Sequence, residues 1–234
     1  MSDFEAIKRG VTICMFDLYG TVVDMQTGLT QAVAPWLKAR GWKGEPSRLV
    51  TWWRRTHFEN SMIDALLGRE HIPYREIGHI SLGYTLERAG VPHTKDDVRR
   101  LVSEIERLKP FPDVVQALTR LRAKYRLVIL SNGDPDMLEA IEPHLGFRFD
   151  RMISVAEAGA FKPHAATYRK AVQIMGARAE EVLFVANHAF DCVGAKAAGM
   201  RSAFIDRRKR PFGDWPYQPD LVVADFRELA DQLA

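Results

Sequence analysis

"VTICMFDLYGT", Val11 to Thr21, joins a β-branched and aromatic run to a turn-forming segment, and the junction is an aspartate. Val11 to Phe16 lacks the apolar and polar alternation of a half-solvated strand. It has the composition of a short strand buried on both faces, ending at Asp17 ahead of "LYGT". Comparable runs recur at Arg126 to Leu130 ("RLVIL"), Val182 to Ala186 ("VLFVA") and Ser202 to Ile205 ("SAFI"), with amphipathic helical stretches between several of them. Strands alternating with helices predict a parallel sheet covered on both faces.

The stretch from Asp24 to Lys109 breaks that rhythm. Apolar residues there fall at three- and four-residue spacing, as in Val98, Leu101, Val102 and Ile105, and no strongly buried strand is visible. The segment "KPFPD", Lys109 to Asp113, marks its end with prolines. The expected architecture is therefore α/β: a Rossmann-like parallel sheet with helices on both faces, formed by residues 1–23 and 110–234. A helical cap domain, residues 24–109, is inserted after the first strand. Such a lid would cover the C-terminal strand edge, where α/β sheets bind ligands. Gly133 and Asp134 predict a turn leading into a helix from Asp136 to Ile141.

Composition narrows the function. In 234 residues, 47% are hydrophobic and 27% charged, as in ordinary globular chains, and the formal net charge is only +3. Basic residues are interspersed with acidic ones, which argues against a nucleic-acid groove. The run "DRRKR", Asp206 to Arg210, is expected to be a solvated loop, or a weak anion-attracting rim. No apolar run reaches the roughly 18 residues that span a bilayer, and no secretory signal pattern opens the chain, so a cytoplasmic protein without a membrane role is expected. Two cysteines are too few for a disulfide framework, and Cys14, inside an apolar run, is expected to pack as a core residue.

Four polar clusters follow strands or adjoining loops: Asp17 with Tyr19 and Thr21, Ser131 with Asn132, Lys162, and Asp191. A parallel sheet brings such ends to one edge. A lone aspartate at a strand end is ordinarily a helix cap or an ion-pair partner. Here Lys162 offers a positive charge that keeps Asp17 ionised, and Ser131 and Asn132 offer donors to carboxylate oxygens. An ionised, desolvated carboxylate is a usable nucleophile.

Together "FDLYGT" (Phe16 to Thr21), "ILSNG" (Ile129 to Gly133), "FKP" (Phe161 to Pro163) and "VANHAFD" (Val185 to Asp191) resemble, in order and spacing, the four motifs of the haloacid dehalogenase superfamily. The insertion resembles its helical cap. The phosphatase branch of that superfamily has a second aspartate two residues after the nucleophile and an acidic fourth motif that helps hold Mg²⁺. This chain has Tyr19 at the first place, and Asn187 and His188 in the other region. A phosphoryl-transfer site so depleted in acid and hard oxygen ligands is poorly equipped. A Mg²⁺-dependent phosphatase acting on a small phosphate ester stays as the alternative. "DLYGT" is instead similar to the L-2-haloacid dehalogenase branch, whose substitution at carbon uses no metal and no cofactor.

That resemblance implies a set of roles for a small 2-haloacid substrate. Asp17 would displace halide from C2 and form an ester. Arg54, in a Trp53-Arg54 pair like the family's, would hold the departing halide with Asn132, although Arg54 and Arg55 fit equally the outer face of an amphipathic helix. Ser131 and the backbone N–H groups of Leu18 and Tyr19 would bind the substrate carboxylate. Thr21 is a substrate-binding candidate too, although Thr21 and Ser131 can alternatively hold the nucleophile loop. Lys162 would orient Asp17, and Asp191, partnered by Lys162, would activate water for ester hydrolysis.

Tyr168 matches a family tyrosine and, with Asn187, His188 and Phe190, completes the expected substrate-binding set. His188 departs most from the branch's better-known members, which carry serine and asparagine in this region. Its imidazole either positions or deprotonates water, or only fills space. Tyr19 and Phe190, with Trp53 and Tyr74 as weaker candidates, would wall the pocket. Trp36, Trp42 and Trp52 are expected to be packing residues. A homodimer follows from the resemblance as an expectation.

Overall fold

In the computed structural model, which describes residues 3–68 and 70–234, strand β1 (Ile13–Phe16) lies buried at the centre of a six-stranded, wholly parallel sheet. Residues 1 and 2 of the expected core segment and residue 69 of the inserted one lie outside the described residues. On one side β1 pairs with β2 (Arg126–Ser131), Phe16 opposite Ile129. On the other it pairs with β4 (Val182–Ala186), Phe16 opposite Val185. β3 (Arg151–Ser154) continues beyond β2, and β5 (Arg201–Ile205) and β6 (Leu221–Val223) continue beyond β4. The chain thus steps outward from β1 in one direction and from β4 in the other. That reversal opens a crevice at the C-terminal ends of β1 and β4, beside Asp17.

The expected strands are present, Val182–Ala186 with its expected ends and the others shifted by one or two residues, but β3 and β6 have no counterpart in the sequence expectation. Both are edge strands of only four and three residues, and each carries an exposed position, Arg151 and Val222. An edge strand needs no continuous apolar run, so the pattern that betrays a central strand is missing.

Between residues 24 and 109 the described chain forms four α-helices: α2 (Met25–Ala39), α3 (Pro46–Leu67), α4 (Tyr74–Arg88) and α5 (Lys95–Val102), α1 being Asp3–Gly10. Their starts are written locally. Asp24 accepts from the Thr27 N–H, proline opens α3, and Thr94 with Asp97 forms a reciprocal capping box on α5. The insertion enters and leaves through one clasp: Val23 and Pro110 form an antiparallel bridge, the Asp24 N–H donates to the Lys109 carbonyl, and the Phe111 N–H donates to that of Val22. Trp36 is buried and Trp42 packs half-buried against the core, as expected, whereas Trp52 is nearly half exposed, contrary to expectation, because α3 turns that side of its first half outward.

The remaining helices, α6 (Val114–Leu121), α7 (Pro135–Ile141), α8 (Ala165–Met175), α9 (Ala189–Ala197) and α10 (Phe226–Leu233), cover the sheet. Helix α7 begins one residue before the expected Asp136, with proline in its first turn, where a missing N–H costs nothing. Both cysteines are buried free thiols that burial pushes above their ordinary range, consistent with core packing of Cys14. No helix among the described residues is long and apolar enough to cross a membrane.

Helix α4 lacks a capping side chain of its own, since Pro73 precedes it. Asp134, in the loop after β2, supplies one from elsewhere in the chain, accepting from the Tyr74 N–H at 2.7 Å and the Arg75 N–H at 2.9 Å. Asp134→Ala orphans both donors, a loss of about 0.5–2 kcal/mol, or roughly 1–8 °C of melting temperature. A melting temperature equal to that of the unaltered protein would mean that packing alone holds α4.

Candidate active site

Asp17 is the first residue beyond β1, and its N–H donates to the Val185 carbonyl at 3.0 Å, which fixes it at the crevice. Its Oδ1 accepts from Lys162 Nζ at 2.8 Å and its Oδ2 from the Thr21 hydroxyl at 2.6 Å. Lys162, 1% exposed, donates also to Asp191 Oδ2 at 2.7 Å and to the Leu130 carbonyl at 3.1 Å, which engages all three of its protons. Asp191 is completely buried, and its second oxygen accepts from the Tyr168 hydroxyl.

One buried ammonium therefore serves two buried carboxylates. Burial raises the proton affinity of both. For Asp17 the Lys162 charge, joined by His188, outweighs burial and holds the carboxyl well below the ordinary range. For Asp191 burial prevails over Lys162, with the neighbouring Asp17 charge adding to it, and its affinity for a proton rises. Burial lowers that of Lys162, but the two carboxylates more than reverse this and keep it protonated. Asp17 is thus the anionic member poised to attack.

Two expected substrate ligands are occupied elsewhere. Thr21, wholly buried, donates to Asp17 and accepts from the Asn187 N–H at 2.9 Å, so its hydroxyl holds the nucleophile loop instead of reaching into the pocket. Tyr168, also wholly buried beneath α9, spends its hydroxyl on Asp191. Both position acidic groups.

The other expected residues surround Asp17. Ser131 ends β2, fully buried, and accepts from the Gly133 N–H, while Asn132 turns its Oδ1 to the Lys162 N–H at 3.0 Å. The Leu18 carbonyl accepts from Val22 and Val23, closing the loop tightly around Asp17. Tyr19 stacks on Tyr74 with ring centroids 5.6 Å apart, its buried hydroxyl lacking a partner among the described residues. Asn187 donates from Nδ2 to the Gly20 carbonyl, tying the β4 loop to the β1 loop. Phe190 packs on Phe58 at 4.3 Å and lies beside His188.

His188 places Nδ1 3.3 Å from Asp17 Oδ2. Gly20 lets the imidazole and Arg54 approach: with φ at +92°, it has no Cβ, and one added there would lie 3.1 Å from His188 Cε1 and 3.2 Å from Arg54 Nη2. Arg54 is oriented by Gln26, whose Oε1 accepts from Nη1 at 2.9 Å. A cavity of about 170 Å³ opens here, lined by Gly20, Gln26, Arg54, Phe111, Asn187 and Arg208 among others.

A profile of haloacid dehalogenase-like hydrolases matches residues 11–199. The chain belongs to that family. The (S)-2-haloacid dehalogenase of Xanthobacter autotrophicus is 35% identical over 195 residues, 82% of this chain and 74% of that one. Haloacetate dehalogenase H-2 of Moraxella sp. (strain B) is 31% identical over 89% of this chain and 91% of its own. The fold matches that of L-2-haloacid dehalogenase from Xanthobacter autotrophicus with chloropropionic acid covalently bound, at a TM-score of 0.82 and 29% identity, covering 94% of this chain and 97% of that one.

In this haloacid dehalogenase-like hydrolase one residue of the basic run departs from expectation, while Arg208 to Arg210 are exposed as expected. Arg207 is not a solvated loop residue: it makes a two-pronged pair with Asp113 at 3.0 Å for each prong and lies over the Phe111 ring at 3.9 Å, because a planar guanidinium can satisfy a carboxylate and stack at once. Arg208, next to it, lines the cavity opposite Arg54. Gln26 and Asp134 are site residues that sequence reasoning missed. Gln26 sits in a helix with no motif around it. Asp134 had a signal, since it follows "LSNG" in a loop, but its target lies 60 residues away.

Proposed function

We propose that this chain hydrolyses a small 2-haloacid to the 2-hydroxy acid, releasing halide, as a hydrolase acting on carbon–halide bonds. The supporting observation is Asp17: a carboxylate in a nearly dry crevice, held anionic by a buried ammonium and with Tyr19 where a leaving-group acid would stand. An Asp17 oxygen attacks C2 from the side opposite the halogen. The carbon–halogen bond breaks with its electron pair on the halide, which Arg54 and Asn132 receive, while Ser131 and the Leu18 and Tyr19 N–H groups hold the substrate carboxylate. Water then opens the Asp17 ester at its carbonyl, leaving inverted configuration at C2. Tyr19 and Phe190 wall the pocket.

The Mg²⁺-dependent phosphatase alternative has less support. Lys162 already engages one oxygen each of Asp17 and Asp191, and Asn187 and His188 supply no acidic oxygen beside them. A halide-release panel separates the two: chloroacetate, fluoroacetate and both enantiomers of 2-chloropropionate, with and without chelator, alongside an aryl phosphate with Mg²⁺. Chelator-insensitive halide release is expected. Phosphate release alone would replace the dehalogenase reading.

Residues 24–109 act in this proposal as a cap domain over the remaining core, since they carry Arg54 to the crevice through a single clasp. A homodimer is favoured by exposed apolar residues on α3 and α4, among them Trp52, Leu66, Ile80 and Tyr84, and a monomer by sedimentation velocity would remove it. Two reduced, buried cysteines fit a cytoplasmic location, which fractionation would test.

A further inference from the structure

We infer that His188 is the base that deprotonates the hydrolytic water at the Asp17 ester, an inference that rests on the dehalogenase reading. The geometry leaves Asp191 unsuited to that task. It is wholly buried, and both of its oxygens are engaged, one by Lys162 and one by Tyr168. Lys162 has no proton-accepting lone pair while it is an ammonium, and its three protons are committed. Neither group can reach a water without breaking this network.

His188 differs on each count. Its side chain is 20% exposed, whereas those of Lys162 and Asp191 are sealed, and Nδ1 lies just beneath that exposed edge. Its Nδ1 is the ring nitrogen on the Asp17 side and has no well-aligned hydrogen-bond partner among the described residues. In the free protein, the charged groups facing it are Asp17, with Lys162 and Asp191 behind, and Arg54 across Gly20. Phe190 covers another side of the ring. The Asp17 carboxyl, the group that becomes the ester, lies directly beside the imidazole.

The step balances. Water oxygen adds to Asp17 Cγ while His188 takes one water proton. The tetrahedral adduct breaks the bond between Cγ and the ester oxygen, and the departing alkoxide takes that proton from the imidazolium. The 2-hydroxy acid leaves, Asp17 retains an oxygen from water, and the second water proton passes to solvent.

The test is rapid-quench measurement of halide release and enzyme-bound ester, by intact mass, with (S)-2-chloropropionate and the unaltered protein, His188→Ala and His188→Asn. Both variants are expected to release one equivalent of halide in the first turnover, which shows that the site is folded. Ester should then accumulate because its hydrolysis falls roughly 100-fold or more. Imidazole added to His188→Ala should restore part of the loss. Full turnover without accumulated ester in either variant overturns the role of His188, and so does a slowed first step without ester. Failure of the unaltered protein to release halide or form an ester overturns the dehalogenase reading, and this inference with it.

Discussion

Asp17→Asn is expected to lower dehalogenation by about 10⁴-fold or more, because a neutral amide oxygen is a poor nucleophile at saturated carbon and nothing adjacent replaces it. Asp191 cannot substitute, being wholly buried behind Lys162. The fold should survive, since the amide oxygen still accepts from Lys162 or Thr21. A single turnover of the unaltered protein in oxygen-18 water supplies the complementary result: label enters Asp17 first and reaches product only in later turnovers. Label appearing in product alone during that turnover would mean that water attacks the substrate directly. Retained activity in Asp17→Asn, with deamidation excluded by mass, would assign the nucleophile elsewhere.

Lys162→Met should cost both stability and activity. It leaves Asp17 and Asp191, 6% and 0% exposed, without their shared cation. Removing one partner of a buried ion pair costs about 3–5 kcal/mol, or roughly 6–20 °C in a domain of this size. The pH dependence follows from the directions of the shifts. In the unaltered protein the depressed Asp17 carboxyl contributes stability above its unfolded value, near about 4, which is lost as pH falls through the folded one. Without Lys162, burial dominates at both carboxyls and raises them, so each destabilises the variant when ionised and ceases to do so when protonated. The melting difference between the two proteins should therefore narrow as pH falls from about 7 toward 4. A difference that stays constant over that range would show that packing, not charge, is the contribution of Lys162. Restoration of much of the melting temperature at neutral pH in Lys162→Met with Asp191→Asn would locate the cost at the second carboxylate.

The buried centre of the fold was legible because β1, β2 and β4 are covered on both faces, and such strands must be apolar throughout. β3 and β6 hid because edge strands carry no such requirement. Asp17, Lys162 and Asp191 were legible because each sits in a short motif at the end of, or just beyond, a strand, and the parallel sheet gathers those ends. The division of labour among their neighbours was not. Thr21 and Tyr168 each have one hydroxyl, and only the folded chain reveals that these turn to Asp17 and Asp191. The trans-acting cap of Asp134 and the support of Arg54 by Gln26 join residues 60 and 28 positions apart, beyond any local pattern.

The paired crossings at Val23 and Pro110 have an evolutionary consequence. A segment whose two ends leave side by side, about 5 Å apart, joins its host along the chain at that single doorway, its other ties being side-chain contacts such as that of Asp134 with helix α4. Shorter, longer or differently folded inserts can be spliced there while the nucleophile and its lysine remain undisturbed, so ligand preference can diversify by exchanging a module and the chemistry beneath can stay unchanged.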